Sequence, residues 1–313
     1  MIRSKHFRLR VCLTLLVLSA ICAAQTSSST SPAGGNADLV KQGQKLNSEG
    51  KQDDAIALYK QALQSSPDSY DAHLAWGIAL DLKGDYAEAR HHLEKAVTLA
   101  SPENKAQALR SLAVSYAFES KAQEASKYEQ QVFDARMAKQ DFIGAAEIAN
   151  ELARIDLESG DLDAAYKWYK TGNDTALKKT DMSEADKGLW AFRWEHAQAR
   201  ILARRGRRDD AEKHVAAAKE ALDKANNPDQ APFYPYLTGY VAFYLGDAKT
   251  AVTELQKANL KDPFILSLLG QAYEKMGDKS QAAEYYRKVM AVNTHNPANA
   301  FARPLARKKL GAK

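Results

Sequence analysis

The six residues Gly84-Asp85-Tyr86-Ala87-Glu88-Ala89 form the pattern Gly-Asp-x-x-x-Ala, which decides the fold because the chain repeats it. The same pattern occurs at residues 160–165, 246–251 and 277–282. Related strings with a basic residue after the glycine occupy 50–55 and 206–211, and a weaker seventh copy at 120–125 begins with serine. Composition alone predicts about 0.2 occurrences of the full pattern, so these copies are an internal repeat.

Each copy lies between two segments of helical length in which apolar residues recur with a helical period. The glycine favours the left-handed backbone that ends one helix. The aspartate is a preferred cap for the next helix, and the small alanine allows two helices to approach closely. The sequence therefore predicts an all-α protein built from a row of helical hairpins.

The hairpin pattern resembles the tetratricopeptide repeat, which has conserved Leu-Gly and tyrosine positions on its first helix and alanine and aromatic positions on its second. The last unit matches this pattern with Leu266, Leu269, Gly270, Tyr273, Ala282 and Tyr286. The second unit matches it with Trp76, Gly77, Leu80, Ala89 and Leu93. The third unit departs from it, because Glu129 stands at the aromatic position.

This resemblance covers residues 37–295 and implies a right-handed superhelical solenoid of about seven hairpins. A C-terminal capping helix and basic tail are expected at 296–313, with the basic residues solvating the end of the last repeat. The turns are 34, 36, 40, 46, 40 and 31 residues apart, so repeat boundaries between about 126 and 232 stay open. We expect one long helix from Ser183 to Arg205, opened by a capping box of Ser183 and Asp186.

The first 24 residues have the layout of a secretory signal peptide, with a basic start, an apolar run and a small-residue end. We expect cleavage after Ala24 and a flexible Ser/Thr/Pro/Gly tether at 25–36. The apolar run is too short for a spanning helix, so no transmembrane segment is expected in the mature chain. Lipidation of Cys22 is the disfavoured alternative, because the bulky Ile21 precedes it. These features predict an exported protein, periplasmic or secreted.

Little in the sequence indicates catalysis, and we expect that the protein is not an enzyme. The common nucleophile, phosphate-loop and metalloprotease motifs are absent from the sequence. Both cysteines lie in the signal segment, and His91 and His92 are expected on an exposed helix face. No cofactor and no metal are predicted. The net charge of +5 falls to about +1 without the four basic signal residues, so nucleic acid is not an expected partner.

The resemblance implies that the first helix of each hairpin lines a concave groove. Two stripes of helical spacing would face each other there, one rich in arginine and one aromatic. They are Arg193, His196, Arg200 and Arg204 on one helix and Phe233, Tyr236, Tyr240 and Tyr244 on the next. Such a surface suits a protein or peptide with acidic and apolar side chains. The alternative is that the tyrosines pack between helices and the arginines form a solvated face.

The expected function is that of a scaffold for protein–protein interaction through the concave groove. The alternatives are a structural subunit of a cell-envelope or outer-membrane assembly and, with less support, a carbohydrate-binding module or enzyme. The family's polar clamp for a partner's terminal carboxylate is not matched. Its positions are held by Val40, Gln44, Ala75, Gln107 and Ser111.

Overall fold

The computed structural model describes residues 32–311. In this part of the chain there are fifteen α-helices, one short 3₁₀ helix at Pro228–Gln230 and no strand. The α-helices are α1 Pro32–Ser48, α2 Gln52–Ser65, α3 Tyr70–Lys83, α4 Tyr86–Leu99, α5 Lys105–Phe118, α6 Ala122–Ala138, α7 Phe142–Ser159, α8 Leu162–Ala176, α9 Glu184–Arg204, α10 Arg208–Ala225, α11 Phe233–Tyr244, α12 Ala248–Leu255, α13 Pro263–Lys275, α14 Lys279–Met290 and α15 Pro297–Lys309.

Helices α1 to α14 form seven consecutive hairpins, and each hairpin packs on the next through its neighbouring helices. The first helices of successive hairpins also contact one another, α5 with α7 and α7 with α9 through side-chain hydrogen bonds. We call the surface that they form the inner face. The predicted all-α solenoid of seven hairpins with an added C-terminal helix is confirmed.

The turns between paired helices follow from the repeated glycine and aspartate. Six turn glycines have φ between 72° and 105°, a backbone region that other residues rarely adopt. Three of the four following aspartates cap the next helix: Asp161, Asp247 and Asp278 each accept a backbone N–H at 2.9–3.0 Å. The fourth, Asp85, makes no such bond and lies 3.4 Å from the Lys83 ammonium.

Close approach within each hairpin depends on small residues. The alanine five residues after each turn's first residue is at most 2% exposed in all seven copies. On the facing helix, a Cβ added to Gly270 would lie 2.6 Å from Tyr286 Cε1, and one added to Gly43 would lie 2.4 Å from Tyr59 Cε1. The glycine and the aromatic residue of the repeat therefore fit together as a pair.

The irregular middle of the chain has longer helices and also longer connections, at 177–183 and 226–232. Helix α9 has 21 residues, and α7 and α10 have 18 each. Ser183 caps α9 by accepting the Asp186 N–H at 3.1 Å, as the sequence predicts.

The N-terminal predictions are largely outside the described residues. The signal segment at 1–24 and most of the tether at 25–36 precede residue 32. The predicted end of the tether is wrong, because α1 begins at Pro32. Proline is compatible with the first turn of a helix, where its missing N–H would have no helical partner.

The C-terminal segment does more than cap the last hairpin. Helix α15 packs on α13 and α14, and it also contacts α5 and α7 on the inner face. Arg303 is 6% exposed and donates to the carbonyls of Leu82, Met290 and Val292 at 2.8–2.9 Å. Arg307 also donates to Leu82 O, at 3.0 Å. The expectation that these basic side chains solvate the end of the solenoid is therefore wrong for Arg303, which ties the last hairpin to the second.

Other contacts strengthen this closure. The Asn293 amide bonds both to Ser48 O and to the Gln52 side chain, at 3.3 and 3.1 Å. His295 Nε2 lies 2.8 Å from Oδ2 of the buried Asp81. The inner face is consequently not an open groove along its whole length, because residues 293–307 cross it. We call these residues the crossing segment. No helix between residues 32 and 311 has the length and apolar character required to cross a membrane.

Candidate functional site

The two stripes predicted from the sequence lie on the first helices of the fifth and sixth hairpins, α9 and α11, which pack against each other. Five of their eight residues line one cavity of about 360 Å³, which we call the inner cavity. Helices α7 and α8 and the 3₁₀ helix complete its wall. The lining residues are Glu147, Asn150, Glu151, Arg154, Tyr169, Phe192, Arg193, His196, Arg200, Gln230, Phe233 and Tyr236.

The mouth of the inner cavity is accessible to solvent. Phe233 is 46% exposed, and Glu147 is also an exposed residue at the rim. Arg193 is half-buried, and its guanidinium stacks on the Trp190 ring with the Cζ atom 4.7 Å from the ring centroid. A ligand group can therefore enter past an aromatic ring and a cation.

The floor of the inner cavity is buried and polar. His196, Arg200 and Tyr236 are 8%, 5% and 6% exposed. Arg200 donates from Nη2 to the Tyr169 hydroxyl at 2.7 Å and lies over the rings of Tyr169 and Tyr240. Aromatic faces attract a guanidinium, and this arrangement holds the Arg200 cation in place.

Several polar atoms around this floor have no hydrogen-bond partner among the described residues. They are Arg154 Nε and Nη2, His196 Nε2 and the Tyr236 hydroxyl. Buried polar groups in folded proteins are paired in the great majority of cases. Four unpaired atoms on residues that line one cavity, contributed by α7, α9 and α11, therefore mark a place where a bound group would supply the partners.

Three cations of the inner cavity are not paired directly with the acids around them. Within residues 32–311, no carboxylate lies within 4 Å of Arg154, Arg193 or Arg200 as an ion-pair partner. Burial lowers the pKa of His196 well below its ordinary value, and the charges of Arg200 and Arg154 lower it further. His196 is thus neutral at neutral pH and contributes a ring nitrogen without adding charge.

The other three predicted residues lie beside the inner cavity in a packed network around Glu158. Arg204 donates to one Glu158 oxygen at 3.0 Å, and the Tyr240 hydroxyl donates to the other at 3.3 Å. Arg204 also lies over the Tyr244 ring at 4.9 Å, and burial raises the pKa of Tyr244 to about 12. For these three residues the packing alternative describes the contacts better, because Arg204 and Tyr240 are hydrogen-bonded within the protein and the Tyr244 ring packs against both.

A second cavity of about 240 Å³ adjoins the first and shares Glu151 as part of its wall. It lies among α3, α5, α7 and the residues around the start of α15, namely His295, Asn296 and Pro297. Arg110 holds Glu151 with paired hydrogen bonds of 2.7–3.0 Å. The crossing segment therefore divides the inner face but leaves two adjacent openings.

Sequence reasoning missed Arg154 and Tyr169, which belong to the site as much as the predicted stripes. Arg154 is the one basic residue in the apolar stretch from Leu152 to Leu157 of α7, and this pattern could have indicated it.

The prediction that His92 is exposed is wrong. It is 7% exposed, stacks on Trp76 with centroids 4.0 Å apart, and lies 2.9 Å from the His73 ring nitrogen. The described residues contain no group of three or more potential metal ligands.

Comparison with known proteins agrees with this architecture. Family models described as tetratricopeptide repeat match residues 46–113 and residues 265–296. Two segments of the chain are thus similar to tetratricopeptide repeats. A search of curated protein sequences finds no match.

Solved structures resemble this chain at low sequence identity. A tetratricopeptide repeat protein from Parabacteroides merdae is 13% identical, with 89% of this chain and 98% of that chain covered and a TM-score of 0.52. The apo quorum sensor NprR from B. thuringiensis is 14% identical over 82% of this chain and 76% of its own, with a TM-score of 0.49. PilF from Pseudomonas aeruginosa is 13% identical over 82% and 98%, with a TM-score of 0.46. The first of these supports the fold, and none is close enough to indicate a ligand.

Proposed function

We propose that this tetratricopeptide-repeat scaffold binds a segment of a partner protein at the inner cavity, and that it does so after export from the cytoplasm. The observation that carries the binding proposal is the lining of the inner cavity. Cationic and aromatic side chains surround a solvent-accessible opening, and four of their buried polar atoms lack partners within the described residues. Solvent-accessible openings of this size with a few convergent polar groups are typical of ligand sites.

The chemistry of the lining favours a partner with acidic and apolar side chains. Arginine offers paired hydrogen bonds to a carboxylate. Phe192, Phe233 and Tyr236 offer rigid apolar area for a neighbouring side chain. The network around Glu158 fixes the walls before binding, so little ordering cost is paid when a segment enters.

Rim variants test the binding proposal without disturbing the buried floor. Phe233→Ala and Arg193→Glu change residues at the mouth of the inner cavity, and Arg287→Glu on α14 is a matched charge control at an exposed site. The purified full chains would be used to capture proteins from the exported compartment, with the captured proteins quantified by mass spectrometry. We expect at least one protein to be retained by the wild type and the control and to be lost about tenfold or more from both rim variants.

Equal capture by all four chains would contradict the proposal, provided that circular dichroism shows equal helicity. The export proposal rests on the layout of residues 1–24 and has its own test. N-terminal sequencing of the protein from its native compartment is expected to begin at Gln25, and an intact Met1 start would contradict cleavage.

A further inference from the structure

We propose that the inner cavity is a subsite for one carboxylate group attached to an apolar group. The inference rests on the proposed function, because the carboxylate and its apolar neighbour would be the part of the partner segment that enters the cavity. It adds the chemical class of the recognised group and the atoms that recognise it.

The first argument is the charge balance of the buried floor. Arg154 and Arg200 approach from α7 and α9, and Arg204 lies next to them. The nearest buried acid, Glu158, is already engaged by Arg204 and by the Tyr240 hydroxyl. Asp262 also faces Arg154 from the start of α13, but it accepts the Phe264 N–H as a helix cap at 2.8 Å. Two further acids line the cavity: Glu147 is exposed at the rim, and Glu151 is paired with Arg110. The buried floor itself therefore carries more positive than negative charge, and a bound anion would balance it.

The second argument is the number of hydrogen-bonding atoms. The unpartnered atoms of the lining are two Arg154 nitrogens, the Tyr236 hydroxyl and His196 Nε2. The first three are donors, and His196 Nε2 becomes a fourth when its ring carries the proton on that nitrogen. A carboxylate has two oxygens with about four acceptor positions, whereas a phosphate ester has three charged oxygens to satisfy. Three donors, with His196 Nε2 as a fourth in one tautomer, fit the acceptor positions of a carboxylate.

The third argument is the apolar part of the wall. Phe192 is 2% exposed and packs beside His196 with ring centroids 5.5 Å apart. Tyr169 and Phe233 face the same space. These rings would contact the apolar group that carries the carboxylate, and they give a free inorganic anion nothing to contact.

The inference is tested with the full chain and a pair of small probes. 3-Phenylpropanoate carries a carboxylate on an apolar arm, and 3-phenylpropanamide has a similar shape without the charge. Binding would be measured by ligand-observed NMR and by calorimetry at low salt. We expect the carboxylate to bind at least tenfold more tightly than the amide.

The role of the Tyr236 hydroxyl in binding the carboxylate is tested by Tyr236→Phe, which removes this unpartnered hydroxyl and keeps the ring. Tyr59→Phe is the matched control, because Tyr59 is also a buried tyrosine whose hydroxyl has no partner among the described residues. We expect Tyr236→Phe to weaken 3-phenylpropanoate about five- to tenfold with an unchanged melting temperature. Tyr59→Phe should leave the affinity as it is in the wild type.

Three results would overturn the inference: equal binding of the acid and the amide, an unchanged affinity in Tyr236→Phe, or tighter binding of phenyl phosphate than of 3-phenylpropanoate. Failure of the proposed function gives a different result. In that case no protein would depend on Phe233 or Arg193 for capture, while 3-phenylpropanoate would still bind with the expected dependence on Tyr236. If protein capture depends on Phe233 and Arg193 but the acid and the amide bind equally, the binding proposal stands and the carboxylate subsite is wrong.

Discussion

At the scale of single residues, Ser120 shows why one copy of the turn pattern is weak. It occupies the position of the turn glycine and has φ of 57°, within the left-handed region. For a residue with a side chain, this conformation costs about 1–2 kcal/mol. The fold imposes the turn on the third hairpin even though the local sequence does not favour it.

We therefore predict that Ser120→Gly raises the free energy of unfolding by about 0.5–1.5 kcal/mol, because glycine adopts this backbone without steric cost. Urea unfolding followed by circular dichroism would measure the change. Ser120→Ala keeps the strained backbone and should give no such gain. Equal midpoints for the two variants would show that the turn is not strained.

Glu129 is a second residue at which the repeat pattern is broken. It is 0% exposed at the consensus aromatic position, and neither of its carboxyl oxygens has a partner in the described part of the chain. Burial raises the pKa of Glu129 to about 8; the charge of Glu151 adds to this shift and that of Arg110 opposes it. The carboxyl is therefore protonated in the folded protein at neutral pH.

This shift predicts a pH dependence of stability with a definite sign. The unfolded chain ionises Glu129 near its ordinary pKa, so stability is greatest at lower pH and is lost as pH rises from about 4.5 to 8. Glu129→Gln removes this loss and should stabilise the protein by roughly 2–5 kcal/mol at pH 8.5, with little effect at pH 4.5. Urea unfolding at the two pH values checks it. An equal effect at both would assign the change to packing instead.

At the scale of helices, pairing within a hairpin depends on a glycine facing a large side chain. Gly270 of α13 lies against Tyr286 of α14, and the same fit recurs between Gly77 and Leu93. Ridges can enter grooves at this distance only where one helix carries no side chain.

We predict that Gly270→Ala destabilises the protein by about 1–3 kcal/mol, because the added Cβ would lie 2.6 Å from Tyr286 Cε1 and force a shift in the core. Thermal unfolding followed by circular dichroism would show the loss. Gly35→Ala in α1 is the control, because an added Cβ there meets nothing within 4 Å and alanine favours helix. If Gly270→Ala were as stable as Gly35→Ala, the paired-fit explanation would be wrong.

Structural features could be predicted from the sequence where the contacts that determine them lie within a few residues of one another. Turn glycines, aspartate caps and buried alanines act within a few residues, so the hairpins could be predicted from them. Five of the eight proposed groove residues line the inner cavity because helical spacing fixes which side chains share a face. The position of α15 could not be predicted, because Arg303 bonds to a carbonyl 221 residues away and its sequence resembles that of a solvated end.

At the scale of the whole molecule, the crossing segment joins the seventh hairpin to the first four. Arg303 provides the central link, with three backbone carbonyls as acceptors and no competing carboxylate among its described contacts. Burial lowers the pKa of Arg303 to about 10, which still leaves it charged at neutral pH.

We predict that Arg303→Met opens this closure, because the substitution keeps the apolar stem and removes the donors. The free energy of unfolding should fall by roughly 2–4 kcal/mol, and the radius of gyration from small-angle X-ray scattering should rise. Lys308→Met on the exposed side of α15 is the control and should change neither quantity. An unchanged scattering profile for Arg303→Met would mean that apolar packing alone closes the molecule.

The bond from Arg303 to Leu82 also has a consequence for biosynthesis. A ribosome delivers the first three hairpins before residues 293–307, which complete their inner surface. Contacts between such distant positions form slowly. A chain truncated before residue 293 would keep its repeats but lack the bond from Arg303 to Leu82. We expect quality-control proteases to degrade such a chain preferentially.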